Sequence, residues 1–103
     1  MEQKQGFKAT KEQIGEWKKK HPAGIFQIDI DGKVAYLKTP DRNILDYASK
    51  IGGQSPMKFN EIILNHCWLG GDEEIKTEDK LFLGVAAKLD KIIETAEATV
   101  KKL

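Results

Sequence analysis

Apolar residues recur with two different periods along this 103-residue chain, and the change of period separates its elements. In the segment GIFQIDIDGKVAYLK, residues 24–38, alternate positions are apolar on both sides of Asp31 and Gly32. Period-two alternation is typical of strands, and an Asp-Gly pair tolerates the positive φ angles of a type I′ turn. The segment therefore predicts a β-hairpin. Its apolar face is expected to rest on helices and to carry Ile28, Ile30, Val34 and Tyr36.

Capping residues predict one helix before the hairpin and one directly after it. The first opens at Thr10, whose hydroxyl can accept a hydrogen bond from the Gln13 amide, and ends before Pro22. The second has Thr39 as its N-cap and Pro40 at its first helical position.

Two further helices are predicted in the second half of the chain. Ser55 begins a helix that runs through Leu69 and is closed by Gly70 in a left-handed conformation. Thr77 caps a last helix that continues to Leu103, about 26 residues and about 39 Å at the rise of an α-helix.

These elements define an α+β fold in the order helix, β-hairpin, then three helices, the last of them long. The length of 103 residues suits one domain with its own core. We expect residues 1–9 to form a flexible N-terminus and residues 10–103 to form a single small domain.

The third predicted helix is apolar on two faces. At 100° per residue, Phe59, Ile62 and Ile63 lie on one side, whereas Leu64 and Trp68 lie on nearly the opposite side. Either this helix is enclosed between other helices, or the face of Leu64 and Trp68 is exposed and binds a partner. Both interpretations are compatible with the sequence.

The last predicted helix repeats apolar residues at steps of three and four. A helix of about 39 Å exceeds the breadth of about 26 Å expected for so small a domain, so part of it is expected to project and contact another chain. Together with the second face of the third helix, it supplies the candidate partner-binding residues: Leu64, Trp68, Phe82, Leu89, Ile93 and Val100.

The sequence contains no set of residues that predicts catalysis, a cofactor or a bound metal. Neighbouring helical side chains diverge by about 100°, so His66 and the single cysteine, Cys67, are not expected to act as base and nucleophile. We expect Cys67 to be a small buried apolar residue. The alternative, a thiol enzyme, requires a second base near Cys67.

The composition indicates in which compartment the protein works and which kinds of partner it binds. One cysteine and the lack of a long apolar run predict a protein of the cytoplasm that does not insert into a membrane. A net charge of +1 argues against nucleic acid as the main partner. The alternative function is a small regulatory domain that binds nucleic acid through an N-terminal lysine cluster: Lys8, Lys18, Lys19 and Lys20.

Two stretches of the chain, FQIDIDGKVAYLKTPDR and FNEIILNHCWLGGDEEIKTEDKLFLGVAAKLDKII, resemble small tail-assembly chaperones of tailed bacteriophages and prophages. The resemblance covers about residues 10–100. It is carried by a strand pair followed by a P-x-R step and by an N-x-C-W-x-G-G-D segment before the last helix. The matching residues are Pro40, Arg42, Asn65, Cys67, Trp68, Gly70, Gly71 and Asp72.

This resemblance implies a non-enzymatic protein that binds the extended tape-measure protein while a phage tail polymerises. It implies a location in the host cytoplasm, and a tape-measure-like protein as partner. The long last helix would also allow the chain to associate with itself as a homo-oligomer.

Overall fold

A computed structural model describes residues 8–93 and 98–103 of the protein. Residues 1–7 of the predicted flexible N-terminus lie outside this part of the chain. The described elements are, in chain order, α1 (Lys11–Lys20), β1 (Ile25–Ile30), β2 (Lys33–Lys38), α2 (Arg42–Gly52), α3 (Pro56–Cys67), β3 (Trp68–Gly71), α4 (Glu74–Thr77), α5 (Asp79–Ala86) and a 3₁₀ helix (Leu89–Ile92). Helices together with an antiparallel sheet confirm the α+β class.

The hairpin forms where the alternating pattern predicts it. Ile30 pairs with Lys33 across a turn in which Asp31 has φ 48° and Gly32 has φ 75°. Two positive φ angles are the requirement of a type I′ turn, and its twist matches that of the flanking strands. The hairpin prediction is therefore confirmed.

Strand β2 is buried on both faces, which corrects the expectation of a single apolar face. Residues directly opposite each other in an antiparallel pair share a face, and Ile28 lies opposite Ala35. Val34 and Tyr36 therefore lie on the other face, where the Trp17 ring of α1 packs with its centroid 5.4 Å from that of Tyr36. Trp17 is the contact of α1 with this face that the ring geometry defines, while α3 and α5 pack against the opposite face.

A third strand, β3, replaces the last residues predicted for the third helix. Helix α3 ends at Cys67, and Trp68 and Gly70 pair with β2 at Leu37 and Tyr36. Gly70 is thus a strand residue and not a left-handed helix terminator. Backbone N–H and C=O groups of residues 68–71 form their hydrogen bonds with β2. In a longer α3, the groups of the first two of these residues would have bonded within the helix instead.

Side chains cap three helices, and one of them corrects the prediction. As predicted, the Thr10 hydroxyl accepts a hydrogen bond from the Gln13 amide at 3.1 Å, and the Ser55 hydroxyl accepts one from the Lys58 amide at 3.2 Å. Helix α2, however, is capped by Asp41, whose carboxylate accepts from the Ile44 amide at 2.9 Å. The Thr39 hydroxyl instead donates to carbonyls of the loop before β1.

The predicted continuous helix from Thr77 to Leu103 is wrong. Helix α5 ends at Ala86, the 3₁₀ helix follows after a turn, and the described residues 98–103 form neither helix nor strand. A straight helix would carry Leu89 and Ile92 beyond the core along the α5 axis. The turn brings both back against it, leaving them 1% and 2% exposed, so tertiary burial outweighs continuous helical hydrogen bonding.

The core lies between the sheet and the helices, and α3 runs through it. Ile63 and Leu64, from the two apolar faces of this helix, are both buried, so the enclosed-helix interpretation is confirmed. Helices α2 and α3 approach so closely that a Cβ on Gly52 would lie 3.0 Å from the Phe59 backbone. Within the described residues, none of the helices has the length and apolar character needed to cross a membrane. The buried cluster comprises Ala35, Leu37, Ala48, Ile63, Leu64, Cys67, Ile75, Leu81, Val85, Leu89 and Ile92.

Candidate functional site

The adjacent histidine and cysteine of α3 do not form a catalytic pair. Cys67 is fully buried, and desolvation raises the pKa of its thiol to about 11, with Lys38 lowering it and Asp41 raising it. His66 is exposed and packs edge-on against the Tyr47 ring, with centroids 5.1 Å apart. A thiol that is buried and protonated at neutral pH is a poor nucleophile, so the geometry favours a packing role for Cys67.

Gly71 and Asp72 hold the end of β3 against β2. Gly71 has φ +146°, and a Cβ at this position would overlap the Val34 carbonyl oxygen. The Asp72 amide donates to that carbonyl at 2.9 Å, while the Asp72 carboxylate accepts from the Val34 amide at 2.9 Å. Both backbone groups of Val34 are thereby paired, and β3 is held against β2. These residues of the G-G-D segment have a folding role that explains their presence.

Trp68 lies at the transition from α3 to β3 and is only half-buried. Its ring packs against the core cluster, and the Lys76 ammonium from α4 lies 4.4 Å from the ring centroid. An ammonium at this distance over an indole is a cation–π contact. Lys76 also lies 3.5 Å from a carboxylate oxygen of Glu73. The partly exposed Trp68 ring therefore contacts both the core and the ammonium group of Lys76.

A groove with a volume of about 310 Å³ opens between α3 and α5, next to Lys76. Its apolar lining includes Met57 and Leu83, whose side chains are 51% and 49% exposed although both are large and apolar. Exposed apolar side chains that line a concavity are typical of contact sites for other molecules. The residues lining this groove are Met57, Glu61, Lys76, Asp79, Phe82 and Leu83.

Helical spacing explains how these residues converge. Met57 and Glu61 are four residues apart on α3, and Asp79, Phe82 and Leu83 span one turn of α5, so each set shares one side of its helix. Phe82 is half-buried and also packs on the core, which anchors the floor of the groove. The two carboxylates give the groove an acidic rim beside its apolar lining.

A second groove of about 310 Å³ runs along β1. Its apolar members Phe26, Ile28 and Ile92 are half-buried or buried and belong to the packing around the core. The α3–α5 groove differs because its Met57 and Leu83 are half-exposed and are absent from that core packing. We therefore take the α3–α5 groove as the candidate site.

The predicted partner-binding residues are dispersed by the fold. Leu64 and Leu89 are each 1% exposed and belong to the core, which corrects their assignment to a binding surface. Phe82 lines the groove, whereas Ile93 is half-buried directly after the 3₁₀ helix. Val100 is 98% exposed. Of the six predicted residues, Phe82 lines the groove. Trp68 does not line it but contacts Lys76, which does.

Sequence reasoning missed Met57 and Leu83. A usable signal was present in α5, where Leu81, Phe82 and Leu83 are consecutive. Helical neighbours diverge by about 100°, so three such residues cannot all face one core. Leu81 is buried and Leu83 is the one left outside. Met57 follows the cap of α3, and its exposure depends on the position of α5.

Three consecutive lysines end α1, and the last of them lies near His21 together with a lysine of β2. Lys18, Lys19 and Lys20 are exposed, and Lys38 of β2 lies close enough to act on His21. Desolvation, then Lys38, then Lys20 lower the pKa of His21. Lys38 is thus a fifth lysine, in addition to the predicted Lys8, Lys18, Lys19 and Lys20, and it lies near His21 together with Lys20.

Among residues 8–93 and 98–103, no group of three or more His, Cys, Asp or Glu side chains is arranged to hold a metal ion. Comparison of the chain with protein families, with curated proteins and with solved structures finds no match.

Proposed function

We propose that this protein is a non-enzymatic assembly factor that binds an apolar, helix-forming segment of another protein in the groove between α3 and α5. The observation that carries the proposal is the half-exposure of Met57, from α3, and Leu83, from α5, in a concavity that Phe82 also lines. An amphipathic helix can place its apolar face in such a groove, with anchors at spacings of three and four residues.

The charges of the groove favour a particular kind of segment. Glu61 and Asp79 flank the apolar lining, whereas Lys76 is already in contact with Glu73 and with the Trp68 ring. A partner helix with basic residues beside its apolar face would complement the two carboxylates. Rim charges of this kind contribute mainly to the association rate and to specificity.

The proposed partner is a long helical protein of the tape-measure type, bound in the host cytoplasm during tail assembly. This part of the proposal is supported by the resemblance of the hairpin and of the N-x-C-W-x-G-G-D segment to phage tail-assembly chaperones. A non-enzymatic role is supported by the burial of Cys67 and by the separation of its thiol from the exposed His66.

The test is co-expression of the tagged protein with the long helical protein encoded next to it. We expect a complex that survives affinity purification and size-exclusion chromatography. Leu83→Asp and Met57→Asp should weaken it at least about tenfold, since each places an uncompensated charge in the groove. Both side chains are half-exposed, so these variants should remain folded.

Ile51→Asp is the matched control. Ile51 is 55% exposed, on α2, and does not line the groove. It should leave the complex unchanged while introducing the same charge. Failure of any complex to form, or equal weakening by all three substitutions, would contradict the proposal.

A second candidate function, nucleic-acid binding, is favoured by the proximity of Lys38 and Lys20 to His21, next to the exposed Lys18 and Lys19 of α1. Such a surface binds through counterion release, and its affinity falls steeply with salt. Titration of duplex and single-stranded DNA and RNA at about 50 mM salt tests it. Binding that is lost in a Lys19→Glu/Lys20→Glu variant would support this function, and no binding would eliminate it.

A further inference from the structure

Residues 98–103 contain two apolar side chains that are in full contact with solvent. Val100 is 98% exposed and Leu103 is 107% exposed, so neither packs against its own chain. Between them stand Lys101 and Lys102. Burying a valine or leucine side chain favours association before the costs of binding are counted, so this segment gains from any apolar site that also accepts its charge.

The α3–α5 groove has the complementary composition. It offers Met57, Phe82 and Leu83 as apolar surface, and its charged lining consists of Glu61, Asp79 and Lys76. Lys76 is paired with Glu73, so the two acids remain to complement the two lysines of the segment. In a helical turn, residues three apart lie on the same side, so Val100 and Leu103 could enter the groove together. Lys101 and Lys102 would then lie beside the apolar contact, where the carboxylates are.

We propose that residues 98–103 of one copy of this protein dock as a helical turn in the α3–α5 groove of a second copy. The occupant is a second copy because Val100 and Leu103 are exposed and therefore do not occupy the groove of their own chain. Each copy offers one segment and one groove, so reciprocal exchange closes a twofold dimer. Six residues bury little area, and the dimer is therefore a weak, reversible one.

This inference rests on the proposed function, because the same groove receives the partner. Self-association and partner binding therefore exclude each other. The segment of a second copy covers Met57 and Leu83 until a partner helix with more apolar surface displaces it. Such a contact protects an exposed apolar surface from nonspecific association.

Sedimentation velocity from about 10 μM to about 1 mM protein tests the dimer, a range that brackets weak association. We expect the wild-type sedimentation coefficient to rise with concentration toward that of a dimer. Val100→Asp/Leu103→Asp should remain monomeric across the range, and Ile51→Asp should behave as wild type. A monomeric wild type, or a dimer that persists in the double variant, overturns the inference.

Mixing two defective variants tests whether the segment of one copy docks in the groove of the other. Leu83→Asp disables the groove and keeps the segment, whereas Val100→Asp/Leu103→Asp keeps the groove. Each alone should be monomeric, and a 1:1 mixture should associate, because one intact groove meets one intact segment. Added salt should weaken that association, since it screens the lysine and carboxylate charges. The mixture forms one of the two wild-type contacts, so it should associate more weakly than wild type. Dimerisation of either variant alone to the wild-type extent contradicts the proposal.

The two proposals fail separately. If wild-type protein is monomeric but Leu83→Asp abolishes the complex with the helical partner, the self-docking inference is wrong and the assembly function stands. If the dimer forms through the groove but no partner complex is obtained, the assembly function is wrong and self-docking stands. If Val100→Asp/Leu103→Asp removes the dimer, it should also increase partner affinity by removing the competing segment.

Discussion

Val34 and Asp72, 38 residues apart, exchange two hydrogen bonds in which the second acceptor is a side chain and not a carbonyl. Asp72 donates its amide to the Val34 carbonyl and accepts the Val34 amide on its carboxylate, both at 2.9 Å. The pair continues the β2–β3 ladder by one residue after β3 has ended at Gly71. It joins the chain after α3 to the hairpin and so sets where α4 begins.

Asp72→Ala should lower the free energy of unfolding by about 1–3 kcal/mol, because it leaves the amide of Val34, a residue only 6% exposed, without its acceptor. Asp72→Asn keeps an acceptor oxygen and should lose less. Urea unfolding measures both. The control is Asp46→Ala, which removes an exposed ion pair with Lys50 and should cost less than about 0.5 kcal/mol. Equal losses at Asp72 and Asp46 would show that the Val34 contact contributes little.

Alanine at two glycines should change stability in opposite directions. Gly71→Ala places a Cβ against the Val34 carbonyl at a left-handed φ and should destabilise the protein by about 2–4 kcal/mol. Gly15 lies in α1 with open space around it, so Gly15→Ala should stabilise by about 0.5–1 kcal/mol through helix propensity. Thermal unfolding of the two variants measures the contrast. A stable Gly71→Ala protein would contradict the close approach of β3 to β2.

Leu64→Ala should destabilise the protein far more than Leu83→Ala. Leu64 is 1% exposed and its truncation leaves a cavity in the core, which typically costs about 2–5 kcal/mol. Leu83 is half-exposed, and its loss should cost less than about 1 kcal/mol. Chemical denaturation compares them. The reverse order would return Leu64 to a surface role.

Stability should depend on the Cys67 thiol at alkaline pH. Its pKa is raised to about 11 in the folded protein, whereas the pKa of a thiol in an unfolded chain is about 8.5. Between these values the unfolded chain has lost a proton that the folded chain keeps, so the stabilising contribution is complete below about pH 8.5 and is lost as pH rises toward 11. The stability difference between wild type and Cys67→Ala should shrink from about pH 8 to about pH 10.

Alkylation gives an independent measure of the same thiol. Native Cys67 should react slowly with iodoacetamide at neutral pH and quickly after unfolding in guanidinium chloride, because burial suppresses both access and ionisation. A Ser49→Cys/Cys67→Ala variant is the control, since residue 49 is exposed on α2. Fast native alkylation of Cys67 would reopen the thiol-enzyme alternative.

The candidate site was only partly predictable, because a groove depends on two elements that are distant in sequence. Phe82 was identified from its helical spacing. Leu64 was assigned to a binding surface because the third predicted helix is apolar on two faces, and the structure buries both. Leu89 was assigned because the last helix was expected to be straight, and a straight helix cannot return Leu89 to the core. Met57 became a lining residue only when α5 came to lie beside α3.

Sequence alone determined the features whose physical causes are local. The Asp31-Gly32 turn needs two positive φ angles, and its two-residue length already dictates that Ile28 pairs with Ala35, a consequence that the alternating pattern concealed. Local hydrogen bonds to Thr10 and Ser55 likewise set the starts of α1 and α3.

Only the tertiary structure decided β3, the end of α5 and the groove. Helical periodicity continues past Cys67 and past Ala86, so no local preference ends either helix there. Each ends because a distant contact is worth more than another helical turn. For β3 that contact is the pairing of Gly71 with Ala35 and of Asp72 with Val34, and after α5 it is the burial of Leu89 and Ile92. Energies of this kind arise only when the chain is folded, because they depend on residues far apart in sequence.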